Sequence, residues 1–151
     1  MLSSPIDEGL TVTGCTCTGN VATATMPGGD IAGAIDFDSN GPSATITNSV
    51  FSGNSATAVG NAVVAGAIDS EGGPLTITGS SIDGNHASSS NGSADVSGGV
   101  VSEGGGLVVE YTSITTNTAT GGGFNVTIGA AIKNDSGHET PVNLPASGST
   151  P

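Results

Sequence analysis

Four short runs in the chain place apolar residues at alternate positions: "LTVT" from Leu10, "ATIT" from Ala44, "LTIT" from Leu75 and "LVVE" from Leu107. An apolar period of two is the mark of a short strand with one buried face. Each run leads, ten residues on, to an asparagine, so that the full phrases read "LTVTGCTCTGNVA", "ATITNSVFSGNSA", "LTITGSSIDGNHA" and "LVVEYTSITTNTA". The asparagines are Asn20, Asn54, Asn85 and Asn117, at intervals of 34, 31 and 32 residues. A second phrase falls between them: "AGAI" at Ala32 to Ile35, "AGAI" at Ala65 to Ile68, "GGVV" at Gly98 to Val101 and "GAAI" at Gly129 to Ile132. Two independent landmarks advancing with one period identify a repeat array.

A unit of 31 to 34 residues, rich in Gly, Ser, Thr and Asn, disfavours helix and reads as three short strands. It cannot bury its apolar face alone, so neighbouring units must stack on it. Coiling each unit once around an axis, with like strands about 4.8 Å apart, satisfies the backbone and the core together. The expected fold is all-β, a right-handed parallel β-helix (solenoid) of about four coils. Val12, Ile46, Ile77 and Val109 form one interior ladder, Cys17, Phe51, Ile82 and Ile114 a second, and Ile35, Ile68, Val101 and Ile132 a third. The segments "DFDSNGPS", "DSEGGP" and "SEGGG" read as turns by content. Residues 1–9 are an N-terminal extension, 10–144 the repeat domain and 145–151 a flexible tail. "PVNL" near the end reads as the start of a further coil, and the whole as a piece of a longer exported solenoid whose signal and anchor lie elsewhere.

Charge narrows the partners. Thirteen acidic residues face a single base, Lys133, for a formal net charge of −12. Such a surface repels phosphates, so neither nucleic acid nor an anionic membrane is an expected partner. No apolar run approaches the roughly 18 residues of a membrane span. Cys15 and Cys17 lie two apart on what reads as one strand, a spacing that strains a mutual disulfide. They are expected as buried free thiols, with no further Cys or nearby His to complete a metal site.

The paired phrases resemble the repeats of the polymorphic outer membrane proteins and related bacterial right-handed β-helix surface proteins, whose motifs are Gly-Gly-Ala-Ile and Phe-x-x-Asn. "FSGN" at Phe51 to Asn54 matches the second motif literally; "CTGN", "IDGN" and "ITTN" replace its Phe, and "AGAI" is one residue from the first. The resemblance spans roughly residues 10 to 132. It implies a non-catalytic structural or adhesive segment of a secreted or cell-surface protein, with a glycan or a neighbouring cell-surface protein as partner. The same fold hosts pectate lyase-like enzymes, so a carbohydrate-active fragment is the enzymatic alternative. This chain has no Arg and one late Lys, leaving Asp36 with Asp69 as the conceivable carboxylate pair for a hydrolase.

Four groups of residues carry the remaining candidate chemistry. Asn20, Asn54, Asn85 and Asn117 are expected to form an internal ladder closing each coil, because Asn tolerates a left-handed backbone and its amide can pair with the Asn one rung away. Asp36, Asp38, Asp69 and Glu71, followed by Glu103 and Asp135, are expected as a solvated acidic rim, whose stacked oxygens would also suit Ca²⁺; no other cofactor is expected. Thr11, Thr13, Thr45, Thr47, Thr76 and Thr78 point outward as Thr-x-Thr pairs, resembling the ice-binding face of some β-solenoids, although Val108 and Glu110 break the fourth rung. His86 and His138 read as exposed turn residues, and Asn91-Gly-Ser and Asn125-Val-Thr fit the N-glycosylation pattern.

Overall fold

A computed structural model describes residues 9–38, 41–90, 94–122, 126–135 and 142–143. Over these the chain is an all-parallel β-solenoid of about four coils, each contributing one short strand to each of five sheets. The first sheet stacks Leu10–Thr13, Ala44–Thr47, Leu75–Thr78, Leu107–Glu110 and Val142–Asn143, so "PVNL" does open a further rung. The second stacks Thr16–Thr18, Val50–Ser52, Ser81–Asp83 and Ser113–Thr115. The third stacks Val21–Thr23, Ser55–Val59, His86–Ser90 and Thr118–Gly122, and the fourth Ile31–Ala32, Ala62–Ala65, Ala94–Ser97 and Val126–Gly129. The fifth stacks Ile35–Asp38, Ile68–Glu71, Val100–Glu103 and Ile132–Asn134. Among the described residues, no helix is long and apolar enough to cross a membrane.

The expectation of three strands per coil is thus corrected to five. The third and fourth sheets bury only small side chains: Ala56, Ala58, Val64, Ala87, Ala94 and Val96 form a narrow core of their own. The larger core lies between the first, second and fifth sheets, where Ile46, Phe51, Ile68, Leu75, Ile77, Ile82, Val100, Leu107 and Val109 pack. Residue-by-residue pairing places Val12, Ile46, Ile77 and Val109 in one column and Cys17, Phe51, Ile82 and Ile114 in another.

The third ladder carries a one-residue correction. Ile35, Ile68, Val100 and Ile132 share a column, while Val101 stands in the row of Asp36, Asp69 and Lys133. Val100 and Val101 are both apolar and both buried, so side-chain type alone does not choose between them. The corner does. A Cβ on Gly66 would run into the carbonyl oxygen of Gly98 in the next coil, and a Cβ on Gly33 into that of Gly66. Those glycines must therefore stack, which aligns "SGGV" from Ser97 with "AGAI" from Ala65.

Two further columns set the bends around the second sheet. Gly14, Asn48, Gly79 and Tyr111 all have positive φ, as do Gly19, Gly53, Gly84 and Thr116. The left-handed residue is therefore the one before each ladder asparagine, not the asparagine itself. Tyr111 holds φ at 50° with a side chain that is 69% exposed, so it bears the left-handed steric cost without repaying it in packing. Tyr111→Gly is expected to raise stability by about 1 kcal/mol, read as a rise in melting temperature of roughly 3 °C.

Candidate functional site

The asparagine column is a continuous amide ladder. Asn20 Nδ2 donates to Asn54 Oδ1 at 2.8 Å, Asn54 Nδ2 to Asn85 Oδ1 at 2.9 Å, and Asn85 Nδ2 to Asn117 Oδ1 at 2.9 Å. The backbone N–H of each upper asparagine donates to the same oxygen below it, at 3.1, 2.9 and 2.9 Å. The second Nδ2 hydrogen reaches back to a carbonyl of the coil above: Asn54 to Cys17, Asn85 to Phe51 and Asn117 to Ile82. All four hydrogen-bonding valences of the Asn54 and Asn85 amides are used, with both residues fully buried.

Five residues earlier in each coil runs a second ladder that sequence reasoning missed. Cys15 N donates to Ser49 Oγ, Ser49 N to Ser80 Oγ, and Ser80 N to Thr112 Oγ1, at 3.1, 3.1 and 3.2 Å. Each hydroxyl in turn donates to the carbonyl two residues before it, those of Thr47, Thr78 and Glu110. The constant offset from the asparagine was the available signal. Cys15 heads this column from the link between two strands, outside both, and is exposed, while Cys17 is half-buried. The expectation of two buried thiols is therefore corrected: Cys17 packs against the core edge and Cys15 does not enter it.

The six threonines occupy two columns of the first sheet, Thr11 with Thr45 and Thr76, and Thr13 with Thr47 and Thr78. Val108 and Glu110 continue these columns, and Thr13 and Thr47 are linked hydroxyl to hydroxyl at 3.0 Å. His86 begins a strand instead of lying in a turn, stacks between Ser55 and Thr118, and its Nδ1 lies 2.9 Å from Thr118 Oγ1. His138, Asn91 and Asn125 lie outside the described residues.

The acidic residues differ most from expectation. "DFD", "DSE" and "SE" are strand, not turn, and their acids line the outer face of the fifth sheet. Asp36 stacks on Asp69, and Asp38 on Glu71 and then Glu103. The fourth sheet joins this face through the bend at Gly66 and Ala67, between Ala65 and Ile68, and side chains cross between the two: Lys133 Nζ of the fifth lies 3.0 Å from Asp95 Oδ2 of the fourth, and Glu71 hydrogen-bonds Asp30. Its contribution is Asp30, Val63 and Asp95: Asp30 Oδ1 accepts from Val63 N at 3.0 Å, and Val63 pairs with Asp95. The two sheets thus enclose a groove with carboxylates on both walls. Asp30 and Asp95 each lie five residues before a third-ladder position, Ile35 and Val100, an offset hidden by the one-residue slip.

Burial inside the groove is uneven. Asp36 and Asp38 are exposed, but Asp69 has no solvent-accessible surface, and neither of its carboxyl oxygens has a hydrogen-bond partner. Burial, followed by the charges of Asp36, Glu71, Asp30 and Glu103, pushes Asp69 up to about 8. Glu71 shares a hydrogen bond with Asp30 and, with burial adding to it, also stands at about 8. Asp36 and Glu103 are raised chiefly by burial. Toward the last coil the groove supplies its own cation: Lys133 Nζ lies 3.0 Å from Asp95 Oδ2 and also contacts Asp135 Oδ2. Burial lowers Lys133, yet its bonds to Asp135 and Asp95 outweigh this and leave it above the ordinary value. Asp95, Glu103 and Asp135 bring an oxygen each to within 4.8 Å of one another, a trio in which Lys133 already pairs with Asp95 and Asp135.

No family model, curated protein or solved structure matches the chain.

Proposed function

We infer that this chain is a non-catalytic, rigid segment of a secreted or cell-surface β-solenoid, of the kind the polymorphic outer membrane protein repeats resemble. One observation carries the reading: the recurring residues are consumed by coil-to-coil stacking. The asparagines bond to the next asparagine, the Ser and Thr hydroxyls to the next backbone N–H, and the corner glycines to the space the next coil needs. What stacking does not dictate, the outer strand faces and the variable turns, is where a binding surface has freedom to differ. The threonine columns of the first sheet are the most regular such face.

The groove is poorly built for sugar hydrolysis. A general acid must touch the leaving oxygen; of the two carboxyls raised to about 8, Asp69 exposes no surface and Glu71 is engaged in a hydrogen bond with Asp30. A glycan array combined with a product assay tests the proposal. Retention of a glycan with no sugar released is the expected result; release of an oligosaccharide from a pectic or other uronic-acid polymer would overturn it. Thermal hysteresis measured on the same sample would instead assign the threonine face to ice.

A further inference from the structure

The acidic groove has two halves that differ in one respect. In the lower half, Asp95 and Asp135 are met by the Lys133 ammonium. In the upper half, Asp30, Asp36, Asp69 and Glu71 converge with no basic side chain among them, since Lys133 is the one Lys or Arg of the chain. Lys133 stands two rungs below Asp69 in the same row, about 10 Å away at the usual strand spacing.

Asp69 is the second observation. A buried carboxyl is ordinarily hydrogen-bonded, yet both oxygens of Asp69 are sealed from solvent and unpartnered among the described residues. Among the described residues, no backbone N–H or hydroxyl takes them. Asp69 alternates with the core residue Ile68, pairs with Asp36 and stands two before Glu71 on the same strand, so the group is aimed into the acidic groove. Ser70, Ser97 and Ser102 also bury an unpartnered hydroxyl, but a neutral hydroxyl does not gather four carboxylates around it.

We propose that the upper half of the groove is a calcium site in which Asp69 is the central ligand and Asp36, Glu71 and Asp30 complete the protein's share. Calcium accepts six to eight oxygens at about 2.3 to 2.6 Å in irregular geometry, and carboxylates can bind it through one or both oxygens. Four carboxylates with a few waters meet that demand. Magnesium requires a tighter octahedron and gives up water reluctantly, which fits a pair of β-strand rows poorly. Among the described residues, three carboxylate oxygens within 4.8 Å of one another occur only in the lower trio. Calcium therefore draws Asp36 and Glu71 inward by side-chain rotation, which their exposed and half-exposed positions allow. The ion ties the first coil, through Asp30 and Asp36, to the second, through Asp69 and Glu71, as Lys133 ties Asp95 of the third coil to the fourth.

The test is calorimetric titration of calcium chloride into the EDTA-stripped, full-length chain at pH 7.5, paired with thermal melts. One calcium per chain and a melting temperature raised by roughly 5 °C or more at a hundredfold excess over Kd are expected. Asp69→Asn, an isostere of the protonated acid that keeps the fold, is expected to weaken binding at least tenfold. Asp36→Asn, at an exposed position, is expected to weaken it several-fold, while Asp135→Asn in the lower half leaves it unchanged. Absence of saturable binding up to 10 mM calcium, on the order of the weakest protein sites and beyond, would overturn the proposal. Undiminished affinity in Asp69→Asn would do so too.

Discussion

Asn85→Ala is expected to destabilise the chain by about 3 to 5 kcal/mol, a large share of the stability of a typical domain. The loss has identifiable parts. Asn85 Oδ1 accepts from Asn54 N and Nδ2, and Asn85 Nδ2 donates to Phe51 O and Asn117 Oδ1. Truncation leaves the Asn54 N–H and the Phe51 carbonyl without these partners in a site closed to water, at about 1 to 3 kcal/mol for each buried group. Asn85→Asp separates this account from a simple turn preference. Asp is as acceptable as Asn in a turn, but it replaces the donating amide with an oxygen facing the Phe51 and Asn117 oxygens. Denaturant melts should therefore show Asp as harmful as Ala. Asn20→Ala should cost only about 1 kcal/mol, because Asn20 is exposed and is a donor alone in the ladder. Equal effects at Asn20 and Asn85, or a tolerated Asn85→Asp, would show that the ladder is not what holds these coils together.

How much of this was legible along the chain depends on side-chain size. Ile46, Phe51 and Ile77 are large apolar residues set among Thr, Ser and Gly, so their period and their partners in the next coil follow directly. The asparagine column follows from its spacing, although the left-handed residue beside it was misassigned: Gly53 bends the chain, and Asn54 then bonds across coils. The third sheet left no such trace, because "SATAV" and "HASSS" bury alanine and serine, whose contrast with their neighbours is slight, and the fourth left little, burying a single valine per strand at Val64 and Val96. "GGVV" slipped by one because two adjacent valines are both buried, one in the main core and one in the acidic groove.

The acidic groove was visible as composition but not as environment. Alternation along "IDSE" correctly turns Asp69 away from the core, and an outward residue on an isolated sheet would be solvated. Its burial goes with the side chains that cross from the fourth sheet's side of the groove, seen in the Glu71–Asp30 hydrogen bond and the Lys133–Asp95 ion pair, which no period along the chain marks. The expected solvated rim therefore holds for Asp36 and Asp38 and fails at Asp69.

That failure makes stability pH-dependent in an unusual direction. The Asp69 carboxyl, ordinarily near 3.8, titrates at about 8 in the folded chain. Between those values the native state holds a proton that the unfolded chain has released, so stability is fully present below about pH 4 and falls as pH rises toward 8. A single fully titrating group gives a slope of about 1.4 kcal/mol per pH unit, so the rise from 3.8 to about 8 integrates to a loss of at most about 6 kcal/mol. The groups facing Asp69 act with the same sign: Asp36 and Glu103 are raised, and Glu71, bonded to Asp30, is at about 8. Lys133 bears on Glu103, Asp95 and Asp135, so the lower half of the groove contributes less. Asp83, lowered by hydrogen bonds from Thr115 and Thr116, has the opposite sign, but it stands exposed to solvent. Urea unfolding in EDTA at pH 4.5, 6, 7.5 and 9 should therefore show the midpoint falling steadily with pH. Asp69→Asn should flatten most of that fall and make the variant more stable than the parent at pH 8, an outcome rare for a change at a fully buried position. A midpoint that rises with pH, as paired carboxylates produce, would mean that Asp69 is ionised and partnered in solution, and the groove would then have to be rebuilt around that partner.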